Sequence, residues 1–208
     1  MKKFKFLLML FLLFSICAYS QTDDKHWKKK YLNIGFVNSS FEQEDSPILK
    51  SNYGASFTLG RTFYLHKNPI GGILCFGLDV TWLDLNYTNY KIKRITYWDT
   101  KNEQYHQGEV SIHIGPSITI NPVGKLNIHG YFRYAPSISG LYTEDFHSNY
   151  ATFFVGGASI SYDVIGLGIE SRFGNCEYKN SNTGKKSDAL SSYKTQYNAW
   201  RAYLTFKF

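Results

Sequence analysis

Apolar and polar residues alternate with a period of two over most of the chain. The clearest run sets Val110, Ile112, Ile114, Pro116, Ile118 and Ile120 against Ser111, His113, Gly115, Ser117 and Thr119. A strand turns successive side chains to opposite faces, so such a segment has one oily face and one small or polar face. The pattern recurs in Leu74, Phe76, Leu78, Val80 and Trp82 against Gly77, Asp79 and Thr81, and in Leu126, Ile128, Phe132 and Tyr134 against Asn127, His129, Tyr131 and Arg133. Ile165, Leu167, Ile169 and Phe173 oppose Gly166, Gly168, Glu170 and Arg172, and Trp200, Ala202, Leu204, Phe206 and Phe208 oppose Arg201, Tyr203, Thr205 and Lys207. The segments number eight, spanning 30–41, 51–65, 72–87, 105–120, 126–138, 150–163, 165–177 and 194–208. Connectors after the second, fourth and sixth are tight and rich in turn formers, whereas the others are longer and polar, Asn89 to Gln104 and Lys179 to Tyr193 among them. The alternation predicts an all-β fold: an eight-stranded antiparallel up-and-down transmembrane barrel with short periplasmic turns and longer extracellular loops.

Residues 1–20 read as a signal peptide. Lys2, Lys3 and Lys5 precede an apolar run from Phe6 to Ala18, and Ala18-Tyr19-Ser20 places small residues at the cleavage positions before Gln21. The run is shorter than the ~20 apolar residues that a helical span requires. A lipid anchor at Cys17 is disfavoured by the bulky Ile16 before it. Residues 21–208 then form a single barrel domain. Removing the signal lowers the formal charge of +7 by three. No basic block remains to argue for nucleic acid.

The polar face decides which side meets lipid. It is dominated by Gly54, Ser56, Thr58, Gly60, Gly77, Ser111, Gly115, Ser117, Gly166 and Gly168, residues that suit the crowded interior of a narrow barrel. The ionisable residues among them, Asp79, His113, Arg133, Glu170, Arg172 and Arg201, carry both signs, as an internal salt-bridge network requires. Reversing the faces would turn the arginines toward lipid at ~2 to 4 kcal/mol each near the midplane, against a total stability of ~5 to 15 kcal/mol. The oily face is therefore expected outside and the six ionisable residues in a lumenal network, a candidate binding or gating locus if it is not a sealed plug.

With bulge-free strands, the turns near 68, 123 and 164 place Thr58 near Asp79, His113 near Arg133 and Glu170 near Ser159. They also put Cys75 low on the third strand and Cys176 near the loop end of the seventh, beyond the ~7 Å limit for a disulfide, so two free thiols are expected. Tyr53, Trp82, Tyr87, Tyr134, Tyr150 and Phe153 toward the loops, with Phe63, Phe206 and Phe208 toward the turns, read as two interfacial girdles.

The chain resembles the small eight-stranded outer-membrane barrels, the group of OmpX and the transmembrane half of OmpA, and more closely the PorT-like outer membrane protein beta-barrel families. The terminal alternation Trp200-x-Ala202-x-Leu204-x-Phe206-x-Phe208 carries that resemblance. In those families such an ending is similar to the signal read by the barrel-insertion machinery, which implies that role for Trp200, Leu204, Phe206 and Phe208. It also implies an outer-membrane location amid lipid and lipopolysaccharide, loops that meet an extracellular or envelope protein, and an accessory part in envelope assembly or secretion. The mature chain is expected to end on its last strand, without an appended peptidoglycan-binding domain.

Strong catalytic motifs are missing, so no enzyme, cofactor or metal is expected. His26, His66 and His106 lack metal-ligand spacing. His147-Ser148-Asn149 superficially resembles the site of lipid A-trimming barrels, with Asp145 nearby, but adjacent residues on a strand point to opposite faces. Tyr97, Trp98 and Tyr105 offer a carbohydrate-stacking alternative, and Asn38 and Asn86 match glycosylation sequons. The expected role is structural or surface interaction with a plugged lumen; the alternatives are an OmpW-like small-solute channel, a lipid A-modifying enzyme and a secreted lipocalin-like binder.

Overall fold

The computed structural model describes residues 27–43, 49–96, 99–142, 146–178 and 193–208, with side chains over 27–40, 50–91, 104–140, 150–174 and 197–208. Eight strands, β1 (Lys30–Gln43), β2 (Leu49–Tyr64), β3 (Leu74–Thr96), β4 (Asp99–Val123), β5 (Leu126–Tyr142), β6 (Phe146–Tyr162), β7 (Ile165–Tyr178) and β8 (Tyr193–Lys207), pair antiparallel in sequence order. β1 also pairs with β8, from Tyr31↔Lys207 to Gln43↔Thr195, and closes the barrel. Closure leaves no sheet edge within the wall.

The faces are as the alternation predicts. Ile112, Ile169, Leu167 and Trp200 are more than half exposed on the exterior, whereas Ser111, His113, Arg133, Arg172 and Arg201 are buried inside. An apolar exterior around a polar, charge-bearing interior is the reverse of a water-soluble domain and suits a hydrocarbon solvent. The interior is filled by pairing large rings with glycines: Tyr31 lies opposite Gly60, Tyr131 opposite Gly157 and Tyr203 opposite Gly168. A β-carbon at each glycine would collide with the phenol facing it.

Two elements change the register expected from the turns. β3 carries a bulge at Trp82-Leu83, where Thr81 faces His113 but Asp84 faces Ser111, and Leu59 faces Leu83 but Gly60 faces Thr81. One extra residue on β3 turns both Trp82 and Leu83 outward and reverses the parity beyond them. Asp84, Asn86 and Thr88 therefore point inward and are buried. Thr58 consequently faces Asp84, not Asp79, whose partner is Thr62. Glu170 faces Gly157 rather than Ser159, because the β6–β7 turn is the two residues Asp163-Val164, with Asp163 left-handed at φ 55°. Aspartate is among the few non-glycine residues that tolerate this conformation. His113 lies between the pairs Ser111↔Ser137 and Ile114↔Tyr134, which puts Ala135 across from it and Arg133 two residues nearer the turns.

Two further expectations are corrected. The third and fourth strands do not stop at 87 and 105: they continue as a two-stranded ribbon from Lys91↔Gln104 to Thr96↔Asp99, past the last β2 contact at Ser51↔Tyr90 and the last β5 contact at His106↔Tyr142. Phe153 belongs to no girdle. It is fully buried inside, against Tyr197 at 5.1 Å and within an apolar layer that includes Val37, Ala135, Val155 and Ala199. Tyr53, Trp82, Tyr87, Tyr134 and Tyr150 are exposed on the outer wall.

At the turn end, Trp27 packs edge-on against Tyr64 at 5.5 Å, and the Lys28 ammonium reaches Asp163 in the β6–β7 turn at 2.6 Å. Lys125 of the β4–β5 turn donates to the other oxygen of Asp163 at 2.7 Å. These two hydrogen bonds, from Lys125 first and then Lys28, lower the Asp163 carboxyl to about 2. Cys75 is a buried free thiol near this end, opposite Thr119, while the backbone of Cys176 pairs with Ala151 and Thr195 toward the other end. The signal segment, Asp145 and the Tyr97-Trp98 tip lie outside the described residues.

Candidate functional site

Among the described residues the lumen holds four carboxylates, Asp79, Asp84, Glu109 and Glu170, and four cations, Arg133, Arg172, Arg201 and Lys207, all buried. A buried charge persists only when paired and hydrogen-bonded, so the equal numbers make the set self-neutralising. Two carboxylates organise it.

Asp79 on β3 serves the half nearer the turns. It accepts the Tyr31 hydroxyl at 2.5 Å, Thr62 Oγ1 at 3.1 Å and His129 Nε2 at 2.9 Å, and it is ion-paired to Arg133 Nε at 3.2 Å. The Arg133 guanidinium lies 3.5 Å from the centroid of the Tyr131 ring, a cation–π contact. His129 is fixed in turn through Nδ1 by Thr119 at 2.8 Å.

Asp84 serves the middle. Arg201 grips it in the two-pronged geometry that suits guanidinium and carboxylate, Nη1 to Oδ1 at 2.8 Å and Nη2 to Oδ2 at 3.0 Å. Thr58 and Ser111 donate at 2.7 and 3.1 Å. Arg201 also reaches Glu170 at 2.9 Å, Glu170 accepts Tyr131 at 2.7 Å, and Tyr131 meets Tyr203 at 2.9 Å. Tyr131 thus touches both halves, through Glu170 on one side and Arg133 on the other. Toward the loops, Arg172 pairs with Glu109, donates to Ser137 at 2.8 Å and lies 4.2 Å from the Phe153 ring centroid. Tyr90, Gln107, Ser139 and Ser39 finish the series with bonds of 2.6 to 2.9 Å.

All six lumenal residues expected from the sequence are buried within this network, from Asp79 and Arg133 near the turns to Arg172 toward the loops. Sequence reasoning missed its central acceptor, Asp84, as well as Glu109 and His129. The signal for Asp84 was available: the adjacent apolar pair Trp82-Leu83 followed by Leu85 and Tyr87 marks a phase reversal. Ser111, His113 and Asp84 invite comparison with a catalytic triad, but the geometry differs. Ser111 Oγ and Asp84 Oδ2 both approach His113 Nε2, at 2.9 and 3.4 Å, and leave Nδ1 without a partner. A triad requires the acid and the nucleophile on opposite ring nitrogens.

His147, Ser148 and Asn149 lie on β6 rather than in a loop, and their side chains fall outside the described set. Asn86 of the second sequon points into the lumen and is buried. Among the described residues no cluster of His, Cys, Asp and Glu could hold a metal ion.

No family model matches the chain, and no curated protein does. Solved structures do. The outer membrane protease OmpT from Escherichia coli superposes with a TM-score of 0.51 at 9% identity, covering 90% of this chain and 99% of that one. Neisserial surface protein A gives 0.50 at 11% identity, covering 86% and 97%. The attachment invasion locus protein Ail of Yersinia pestis is also similar, at 0.43 and 6% identity, covering 87% and 99%. The chain therefore has the fold of the outer-membrane β-barrels, in an eight-stranded, all-antiparallel, closed form.

Proposed function

We propose that this chain is an integral protein of the bacterial outer membrane, exported by residues 1–20, with a sealed lumen and no catalytic activity, that works through its surface. The supporting observation is the lumen itself: among the described residues, four buried acids and four buried bases, most of them linked to one another or to tyrosines, crowd the interior beside the Phe153–Tyr197 layer. An eight-stranded barrel leaves an interior that side chains fill. Outer-membrane lipid and lipopolysaccharide would surround the exterior. Trp200, Leu204 and Phe206 of β8, and Phe208 just after it, would be presented to the barrel-insertion machinery. The β3–β4 ribbon beyond the last β2 and β5 contacts, whose sequence includes Lys91, Lys93, Arg94 and Lys101 as well as Asp99 and Glu103, is the surface best placed to meet an extracellular or envelope protein.

Purified protein in planar bilayers is expected to give no discrete current steps. A reproducible open state would overturn the sealed reading in favour of a small-solute channel. One observation favours that second reading: both amide ends of Asn86 and the hydroxyl of Thr88 are buried without protein partners, as water-lined groups are.

A further inference from the structure

Lys30 and Arg61 are direct cross-strand partners where β1 begins and β2 ends. Their chain neighbours Tyr31 and Thr62 point into the lumen, so the two cations share the lipid-facing side. Around them that side is apolar: Leu32 on β1, Leu59 and Phe63 on β2, Val80 on β3, and Phe208 bonded to Lys30 through the backbone. Like charges directly opposed on one sheet face repel. Among the described residues neither cation has a carboxylate within ion-pairing distance, in contrast to Lys28 and Lys125, which share Asp163. The Arg61 guanidinium instead sits 5.0 Å from the Phe63 ring centroid, and its Nε is shielded from solvent without an acceptor. Lys30 opens β1 at the turn end, beside Phe63 and Phe208, the level at which aromatic rings meet headgroups.

We propose that Lys30 and Arg61 form a binding site for the phosphate of one phospholipid in the leaflet on the turn side of the membrane. The phosphate lies between the two cations and the acyl chains run down the apolar wall past Leu59 toward Ile34, which is exposed on the same face of β1. One anion removes the cross-strand repulsion and accepts hydrogen bonds from the Arg61 guanidinium. Arginine supplies a planar fork for phosphate oxygens and lysine a point charge, a division of labour common in phosphate recognition. The site rests on the outer-membrane reading, since it needs a lipid-covered exterior.

Native mass spectrometry of the folded full chain, released from micelles doped with dioleoylphosphatidylglycerol or with dioleoylglycerol, tests it. The wild type is expected to retain one phosphatidylglycerol and no dioleoylglycerol. The Lys30→Gln/Arg61→Gln variant is expected to retain about tenfold less or lower still, the factor for losing one charge-assisted hydrogen bond. Lys67→Gln, in the exposed β2–β3 turn, is expected to bind like the wild type. Equal phosphatidylglycerol retention by the double variant, equal retention of dioleoylglycerol, or loss of binding in Lys67→Gln would each overturn the site. If the double variant does not fold, Arg61→Lys, which keeps the charge and removes the fork, is expected to show reduced retention, and undiminished retention overturns the proposal. A wild type that gives no heat-modifiable folded band in lipid would instead refute the outer-membrane reading; a folded wild type that fails the lipid comparison refutes only the site.

Discussion

Asp84 bears the largest share of the lumenal network, with a two-pronged bond to Arg201 and hydroxyl donors from β2 and β4. Removing one partner of a buried ion pair strands the other charge, at about 3–5 kcal/mol. Asp84→Ala is therefore expected to destabilise the barrel by about that amount in urea unfolding from lipid vesicles. The Asp84→Leu/Arg201→Leu pair should recover part of the loss, because no lone charge then remains. Asp163 makes a prediction of a different kind. Its folded value of about 2 lies below the ordinary 3.8, so the stabilisation is fully present above the ordinary value and is lost as pH falls toward the folded one. Unfolding midpoints of the wild type should fall between pH 4 and 2 more steeply than those of Asp163→Asn, and parallel curves would show that the lysine clamp contributes nothing. The six network residues were legible because each breaks an otherwise small or uncharged strand face. Asp84 was not, since a strand read with unbroken parity through Trp82 assigns it to lipid. Composition alone does not place Phe153, because in Phe153-Phe154 either ring suits the outer face, and only the β5 and β7 registers decide.

The β3 bulge is the element that makes the centre of the lumen. Its extra residue brings Asp84, Asn86 and Thr88 inside while Leu85 and Tyr87 stay outside. Deleting Leu83 leaves Thr81 inward, Trp82 outward and Asp84 inward in regular alternation, so that variant is expected to fold and show heat-modifiable mobility. Deleting Ile112 from the unbulged middle of β4 forces half of that strand to turn its oily residues inward, and it should leave no folded band. The opposite outcome for the pair would contradict the assigned parity. Strand number and direction were legible because alternation over ten residues outweighs errors at the ends. Register was not, because one bulged residue or a two-residue turn moves every pairing beyond it. The ribbon is not legible as strand because its Lys, Asn and Thr residues are polar without alternation and carry no amphipathic signal.

For the whole molecule, the apolar exterior and the charged interior belong together: a hydrocarbon solvent suits the first, and mutual pairing shelters the second. The overall arrangement was recoverable from sequence because the inner face combines small residues with balanced charge, a composition that a water-facing strand surface lacks. The most direct measurement is tryptophan quenching by brominated acyl chains. A chain carrying Trp27→Phe and Trp98→Phe keeps only Trp82 and Trp200, both more than half exposed on the outer wall. Refolded in vesicles of brominated phosphatidylcholine, it is expected to lose most of the fluorescence seen in unbrominated vesicles, while aqueous iodide quenches little. Strong quenching by iodide with none by bromine would place the oily wall in water and contradict the account.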